Sequence, residues 1–154
     1  MQSSAVDLIA VTKDNYQQVV ELCVAPEQER FVGTTAEAIA DAYFHPSYKM
    51  LAVMERASLA IVGFMMFEHN TNVLLHRFLI DCKHQGRGYG KAALQRFIKM
   101  VRQFYPEQEI TIALKTKAAN VDAIRVYEKA GFVFSPDPLE PTVVVGTWTE
   151  VKRL

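Results

Sequence analysis

Gly86, Gly88 and Gly90 occupy every second position of Gln85-Gly86-Arg87-Gly88-Tyr89-Gly90, between an apolar run over 74–80 and an amphipathic one over 91–105. Where a strand turns into a helix, the missing Cβ atoms let successive backbone N–H groups converge on one spot and meet an anion. The helix that follows adds the positive end of its dipole, which favours a pyrophosphate over a single carboxylate. Spacing sets aside two other cradles. A G-x-x-x-x-G-K-[ST] loop fails, because Gln85 stands five before Gly90 and Ala92 replaces the magnesium-binding hydroxyl. A G-x-G-x-x-G fingerprint fails, because Lys91 stands in place of the third glycine.

What remains, Q-x-x-G-x-G, resembles the acetyl-CoA pyrophosphate loop of the GNAT N-acetyltransferase superfamily. The stretch from Asn120 through Ala123, Tyr127 and Lys129 to Gly131-Phe132 is similar to that superfamily's second signature, N-x-x-A-x-x-x-Y-x-K-x-G-F. The order matches, and one helix, one strand and a short loop lie between the two. His76-Arg77-Phe78-Leu79-Ile80-Asp81 and the compact ends look most similar to bacterial spermine/spermidine acetyltransferases.

Amine acetylation by a thioester needs a held acetyl-CoA, a neutral amine aimed at its carbonyl carbon, and a proton for the departing thiolate. The resemblance implies that acetyl-CoA is the cosubstrate and that backbone amides of Gln85, Gly86, Arg87, Gly88, Tyr89, Gly90 and Lys91 hold its pyrophosphate. Phe78, Leu79 and Ile80 would then pair their main chain with the pantetheine amides. Asn120 and Tyr127, two helical turns apart, share one stripe. The resemblance places Asn120 on the pantetheine and Tyr127 beside the sulfur as general acid, protonated at neutral pH with an ordinary phenol pKa of about 10. By residue type alone, Asn120 is equally a helix N-cap, Tyr127 a half-buried aromatic, and Arg87 and Lys91 exposed basic residues. Gly131-Phe132 reads as a Schellman stop. Asp81, His76, Glu55 and Glu68 are candidate bases, and none is singled out, since a water chain also serves.

Bulk properties narrow the field. The 154 residues, half of them apolar, suit one domain spanning 1–154 with a single substantial core. Lys plus Arg and Asp plus Glu balance at 17 each, so no basic field draws nucleic acid. No apolar stretch reaches the roughly 20 residues of a membrane span, and the start lacks signal-peptide order. Cys23 and Cys82 are far apart and form no C-x-x-C, which suggests neither a metal nor a redox motif. A cytoplasmic setting is the simplest reading, and a homodimer is left open.

Along the chain, Asp14 is expected to cap a helix carrying Tyr16, Val19, Val20 and Cys23 and ended by Pro26. Thr34 with Glu37 makes a capping-box pattern before a second helix, closed by Pro46. Strands follow at 49–54, 59–68 and 73–81, so continuously apolar that helices must cover both faces. Leu94, Phe97, Ile98, Val101 and Phe104 form a helical stripe. A strand at 109–114, a helix at 120–130 and strands from 133 and over 143–151 complete the pattern. The fold class is α/β (α+β): a GNAT-like, mixed, mostly antiparallel sheet of six or seven strands flanked by about four helices.

Glu27, Glu29, Glu37 and Asp41 cluster on the loop over 27–35 and on the second helix, where ammonium groups removed from water would find partners. A solvated acidic face is the equal alternative, since carboxylates gather at helix starts for dipole reasons. The expected acceptor is a small-molecule amine, a polyamine by best match. A peptide, a protein lysine, another small amine, or a non-catalytic acetyl-CoA-binding module are the competing readings.

Overall fold

Residues 49–80 are rich in β-branched, aromatic and other apolar side chains. In the structure, a computed structural model that describes residues 5–24, 26, 33–106 and 109–150, they form three successive antiparallel strands, β2 (Lys49–Glu55), β3 (Ile61–His69) and β4 (Val73–Ile80). Before them come β1 (Val6–Ala10), α1 (Tyr16–Val20) and α2 (Thr35–Phe44). After them come α3 (Tyr89–Phe104), β5 (Thr111–Lys117), α4 (Val121–Lys129), β6 (Val133–Pro136) and β7 (Val143–Thr149). The strands make one seven-stranded sheet in the order β1-β2-β3-β4-β5-β7-β6, antiparallel except between β4 and β5. This is the expected mixed architecture.

The unbroken apolar run of β3 has a direct cause. Phe64 and Met66 pack with Val19, Leu22 and Ala38 beneath α1 and α2, while Met65 and Phe67 pack with Leu94, Phe97 and Val101 of α3. Both faces of the pleat are therefore covered, and each fully buried side chain of this size contributes about 1.5–3 kcal/mol.

Several local signals act as expected. Thr34 Oγ1 accepts the Glu37 N–H at 3.1 Å and starts α2. At the end of α4, Gly131 adopts φ +104, its N–H donates to the Glu128 carbonyl at 3.0 Å, and the Phe132 N–H donates to the Tyr127 carbonyl at 3.1 Å. That pair of bonds is the Schellman stop, and the positive φ explains the glycine.

Other expectations are corrected. Asn15, not Asp14, occupies the N-cap of α1, and its side chain accepts the Thr12 N–H at 2.8 Å instead of capping the helix. The helix ends at Val20, well before Pro26, and Cys23 lies beyond it because its N–H turns to the Asp81 carboxylate at 3.1 Å. At the end of α3, Tyr105 stacks on His69 at 3.9 Å between ring centroids and packs on the core, which leaves Phe104 exposed.

Candidate active site

The parallel β4–β5 pairing extends over only two residue pairs, Val73↔Ile112 and Leu74↔Ala113. From Leu75 onward no strand among the described residues lies against that edge of β4, so backbone donors and acceptors that a sheet would consume face an opening. The cleft there holds about 830 Å³ and is lined by β4 from Leu75 to Ile80, by the glycine loop, by Leu114, Lys115 and Thr116 of β5, and by one face of α4.

The loop reaches the cleft through two left-handed residues, Gly86 at φ +79 and Gly88 at φ +83. A Cβ built on either meets nothing within 4 Å, so glycine is required by backbone conformation, and the space above it is open. Gly88 is the N-cap of α3, and Ala92 N–H makes the first helical bond to its carbonyl at 3.1 Å. The orphan N–H groups of a 16-residue helix thus point out beside an open concavity, the arrangement that receives phosphate oxygens. Gln85 ties the loop to the strand through Nε2, which donates to the Ile80 carbonyl at 2.9 Å.

Phe78, Leu79, Ile80, Gln85, Gly86, Gly88, Tyr89, Gly90, Lys91, Asn120 and Tyr127 all line this cleft; Arg87 does not, and is exposed. Asn120 does occupy the N-cap of α4 but makes no side-chain capping bond; its Nδ2 donates to Thr116 Oγ1 at 3.4 Å on the cleft wall. Tyr127 is 8% exposed, with its ring 6.2 Å from Phe78, 5.5 Å from Phe132 and 6.2 Å from Phe134 by centroids. Burial among these rings pushes its phenol pKa well above the ordinary value, so the hydroxyl stays protonated.

Around the cleft, Lys91 and Lys129 stand beside the lining carboxylate Asp122, while Arg77, Lys115 and His84 are engaged by Asp41, Asp137 and Asp81. Together with the α3 dipole, this balance favours a polyanionic ligand on the loop side. By sequence, neither His84 nor Lys115 is singled out, and Lys129 enters only as a signature position; the spacing Asp81-x-x-His84 next to the glycine loop is the available signal for His84, whose Nδ1 lies 3.0 Å from Asp81 Oδ2.

Of the four candidate bases, only His76 lines the cleft, with Nε2 2.8 Å from Glu68 Oε1. That hydrogen bond, with a second from Ser47, holds the Glu68 carboxyl below its usual range. Asp81 is buried and engaged by Cys23 and His84, and Glu55 accepts from Ser58 at 2.6 Å.

The acidic set is only partly in view. Glu27 and Glu29 lie outside the described residues. Glu37 and Asp41 stand one turn apart on α2, exposed and not on the cleft lining, and Arg77 Nη2 donates to Asp41 Oδ2 at 3.3 Å.

Residues 13–132 match the model of the acetyltransferase (GNAT) family. The chain is 31% identical over 140 residues to the spermine/spermidine N(1)-acetyltransferase of Bacillus subtilis (strain 168), covering 85% of this chain and 90% of that one. Its fold is similar to that of an acetyltransferase from Thermus thermophilus (TM-score 0.72, 19% identity, 95% and 97% of the two chains covered). It is also similar to the spermidine N-acetyltransferase of Vibrio cholerae solved with CoA and spermine (TM-score 0.71, 16% identity, 96% of each chain).

Proposed function

Because the chain belongs to the GNAT acetyltransferase family and is an N-acetyltransferase, we propose that it transfers the acetyl group of acetyl-CoA to a primary amine of a small polyamine such as spermidine or spermine. The observation that carries the polyamine reading is the 31% identity, over 85% of this chain, to a spermine/spermidine N(1)-acetyltransferase. We read residues 1–154 as one domain.

The residues present fit acetyl-CoA. The α3 N-terminus and the glycine loop suit its pyrophosphate, and the edge of β4 over Phe78, Leu79 and Ile80, against which no described strand lies, suits the amides of its pantetheine arm. When bound, it supplies the activated acetyl thioester. Lys91 and Lys129 add positive charge on the same walls. In this reading Asn120 orients the arm, and Tyr127 holds a phenolic proton at the cleft wall for the sulfur that leaves.

The amine enters protonated, since an alkylammonium has a pKa of about 10, and it must shed a proton before it attacks. His76 lies on the lining to receive it, either directly or through water. Because the loop side of the cleft is basic, the cationic acceptor is expected from the opposite end, where Val24 and Gly33 close the lining and Glu37 stands beside Gly33; Glu27 and Glu29 belong to the same acidic set by sequence alone. Arg77 holds Asp41 there, so a bound ammonium competes with a guanidinium for that carboxylate.

The test is CoA release measured with free spermidine and spermine, beside a panel of peptide N-termini, lysine peptides, aminoglycosides and amino acids. Polyamine kcat/KM at least about tenfold above the rest supports the assignment, a preference worth about 1.4 kcal/mol. Faster turnover of a peptide or another small amine replaces it.

A further inference from the structure

Cys23 and Cys82 stand 59 residues apart in the chain, yet the fold brings Cys23 Sγ to 2.9 Å from Cys82 Sγ. Both are free thiols; Cys23 is exposed and Cys82 half-buried. The approach is built by the surrounding backbone. Cys82 N–H donates to the Cys23 carbonyl at 2.6 Å, and Cys23 N–H donates to Asp81 Oδ1 at 3.1 Å. Asp81 itself is 7% exposed and pinned by His84 at 3.0 Å, so the clamp has a rigid base.

Two chemistries use such a pair. Cys23, Asp81 and Cys82 offer ligand atoms all within 4.8 Å of one another, as a metal would want. A tetrahedral ion with metal–sulfur bonds of about 2.3 Å holds its sulfurs about 3.8 Å apart, farther than this pair, and the Asp81 oxygens already serve the Cys23 N–H and His84. The separation is shorter than the contact distance of two non-bonded sulfurs and leaves them one small displacement from a bond. We propose that Cys23 and Cys82 are a disulfide-forming modification site that ties the segment after α1 to the stem of the glycine loop.

The step balances with a hydroperoxide as oxidant. The Cys23 sulfur, the accessible one, attacks a peroxide oxygen; the O–O bond breaks, an alcohol or water leaves, and a sulfenic acid forms. The Cys82 sulfur then attacks the sulfenic sulfur, the S–S bond forms, and the hydroxyl leaves as water with the thiol proton. The two thiols lose two electrons and the peroxide gains them. The neighbouring Cys82 thiol and Asp81, with burial, raise the Cys23 pKa, so the reaction should accelerate as pH rises.

The experiment treats the whole protein with hydrogen peroxide and follows intact mass, alkylation of free thiols and melting. The expected product is a monomer two hydrogens lighter, closed to alkylation, restored by dithiothreitol, and melting roughly 10 °C higher, as closure of a 59-residue separation implies. Cys23→Ser and Cys82→Ser should each abolish the mass loss. In denaturant, where the clamp is gone, the link should form at least about tenfold more slowly. The proposal is overturned by independent oxygenation of both thiols, by cross-links between chains, by equal rates in folded and denatured protein, or by a stoichiometric metal held on the pair with no disulfide formed.

Discussion

Replacing Tyr127 with Phe removes one oxygen atom and leaves the ring packed against Phe78, Phe132 and Phe134. No side-chain polar atom buried among the described residues lacks a partner, and the Tyr127 hydroxyl, which makes no hydrogen bond within them, sits on a residue that lines the cleft. Its loss should therefore change unfolding free energy by no more than about 0.5 kcal/mol. If the hydroxyl delivers the proton to the leaving sulfur, kcat should fall about 10²- to 10⁴-fold, equivalent to roughly 3–5 kcal/mol of transition-state stabilisation, with KM for acetyl-CoA nearly unchanged. Burial disfavours the phenolate, so the hydroxyl stays protonated as pH rises past the ordinary phenol value. A phenol that is so weak an acid gives up its proton only as negative charge builds on sulfur, which puts the whole effect into kcat. The assay is steady-state CoA release paired with urea unfolding of the same preparation. Unchanged kcat would sink the assignment, and so would a kcat loss matched by more than about 2 kcal/mol of lost stability, which would make Tyr127 a packing residue.

Three other outcomes are expected. Gly88→Val places a β-branched residue at φ +83 and adds a side chain in the open space of the loop; acetyl-CoA binding should weaken at least about tenfold while the fold persists by circular dichroism, and unchanged affinity would remove the loop from the site. Glu29→Gln combined with Glu37→Gln should raise KM for spermidine about two- to tenfold and leave KM for acetyl-CoA alone, and added salt should act likewise because exposed pairs are screened; an acceptor KM indifferent to both points to another substrate class. Asp137, which accepts N–H groups of Leu139 at 2.8 Å and Glu140 at 3.1 Å and pairs with Lys115 at 2.9 Å, has its carboxyl held below the usual range first by the Leu139 bond. Since its folded pKa is depressed, the stability it adds is present above the ordinary carboxylate pKa of about 4 and disappears as pH falls through the lower folded value. Urea unfolding of Asp137→Ala should thus show a deficit that is constant near neutrality and shrinks in acid, and a deficit independent of pH would refute the ionic part.

Local patterns already determined much of this protein. Glycines at 86, 88 and 90 foretold an uncrowded strand-to-helix turn, Thr34 and Glu37 foretold the start of α2, and Gly131-Phe132 foretold the stop of α4, because each depends on a few adjacent residues and on backbone sterics. The two motifs carried the family for the same reason: a loop and one helix face are contiguous in sequence. Non-local facts were decided by packing. The length of α1 depended on whether the Cys23 N–H met a helix carbonyl or Asp81, 58 residues away. The exposure of Phe104 depended on Tyr105 reaching His69. The engagement of Asp81 and Glu68, the guanidinium on Asp41, and the meeting of Cys23 with Cys82 all join segments whose separation no periodicity encodes. The cleft itself belongs to this class. It exists because β4 and β5 pair over two residues and then part, a property of how seven twisted strands and their covering helices pack together.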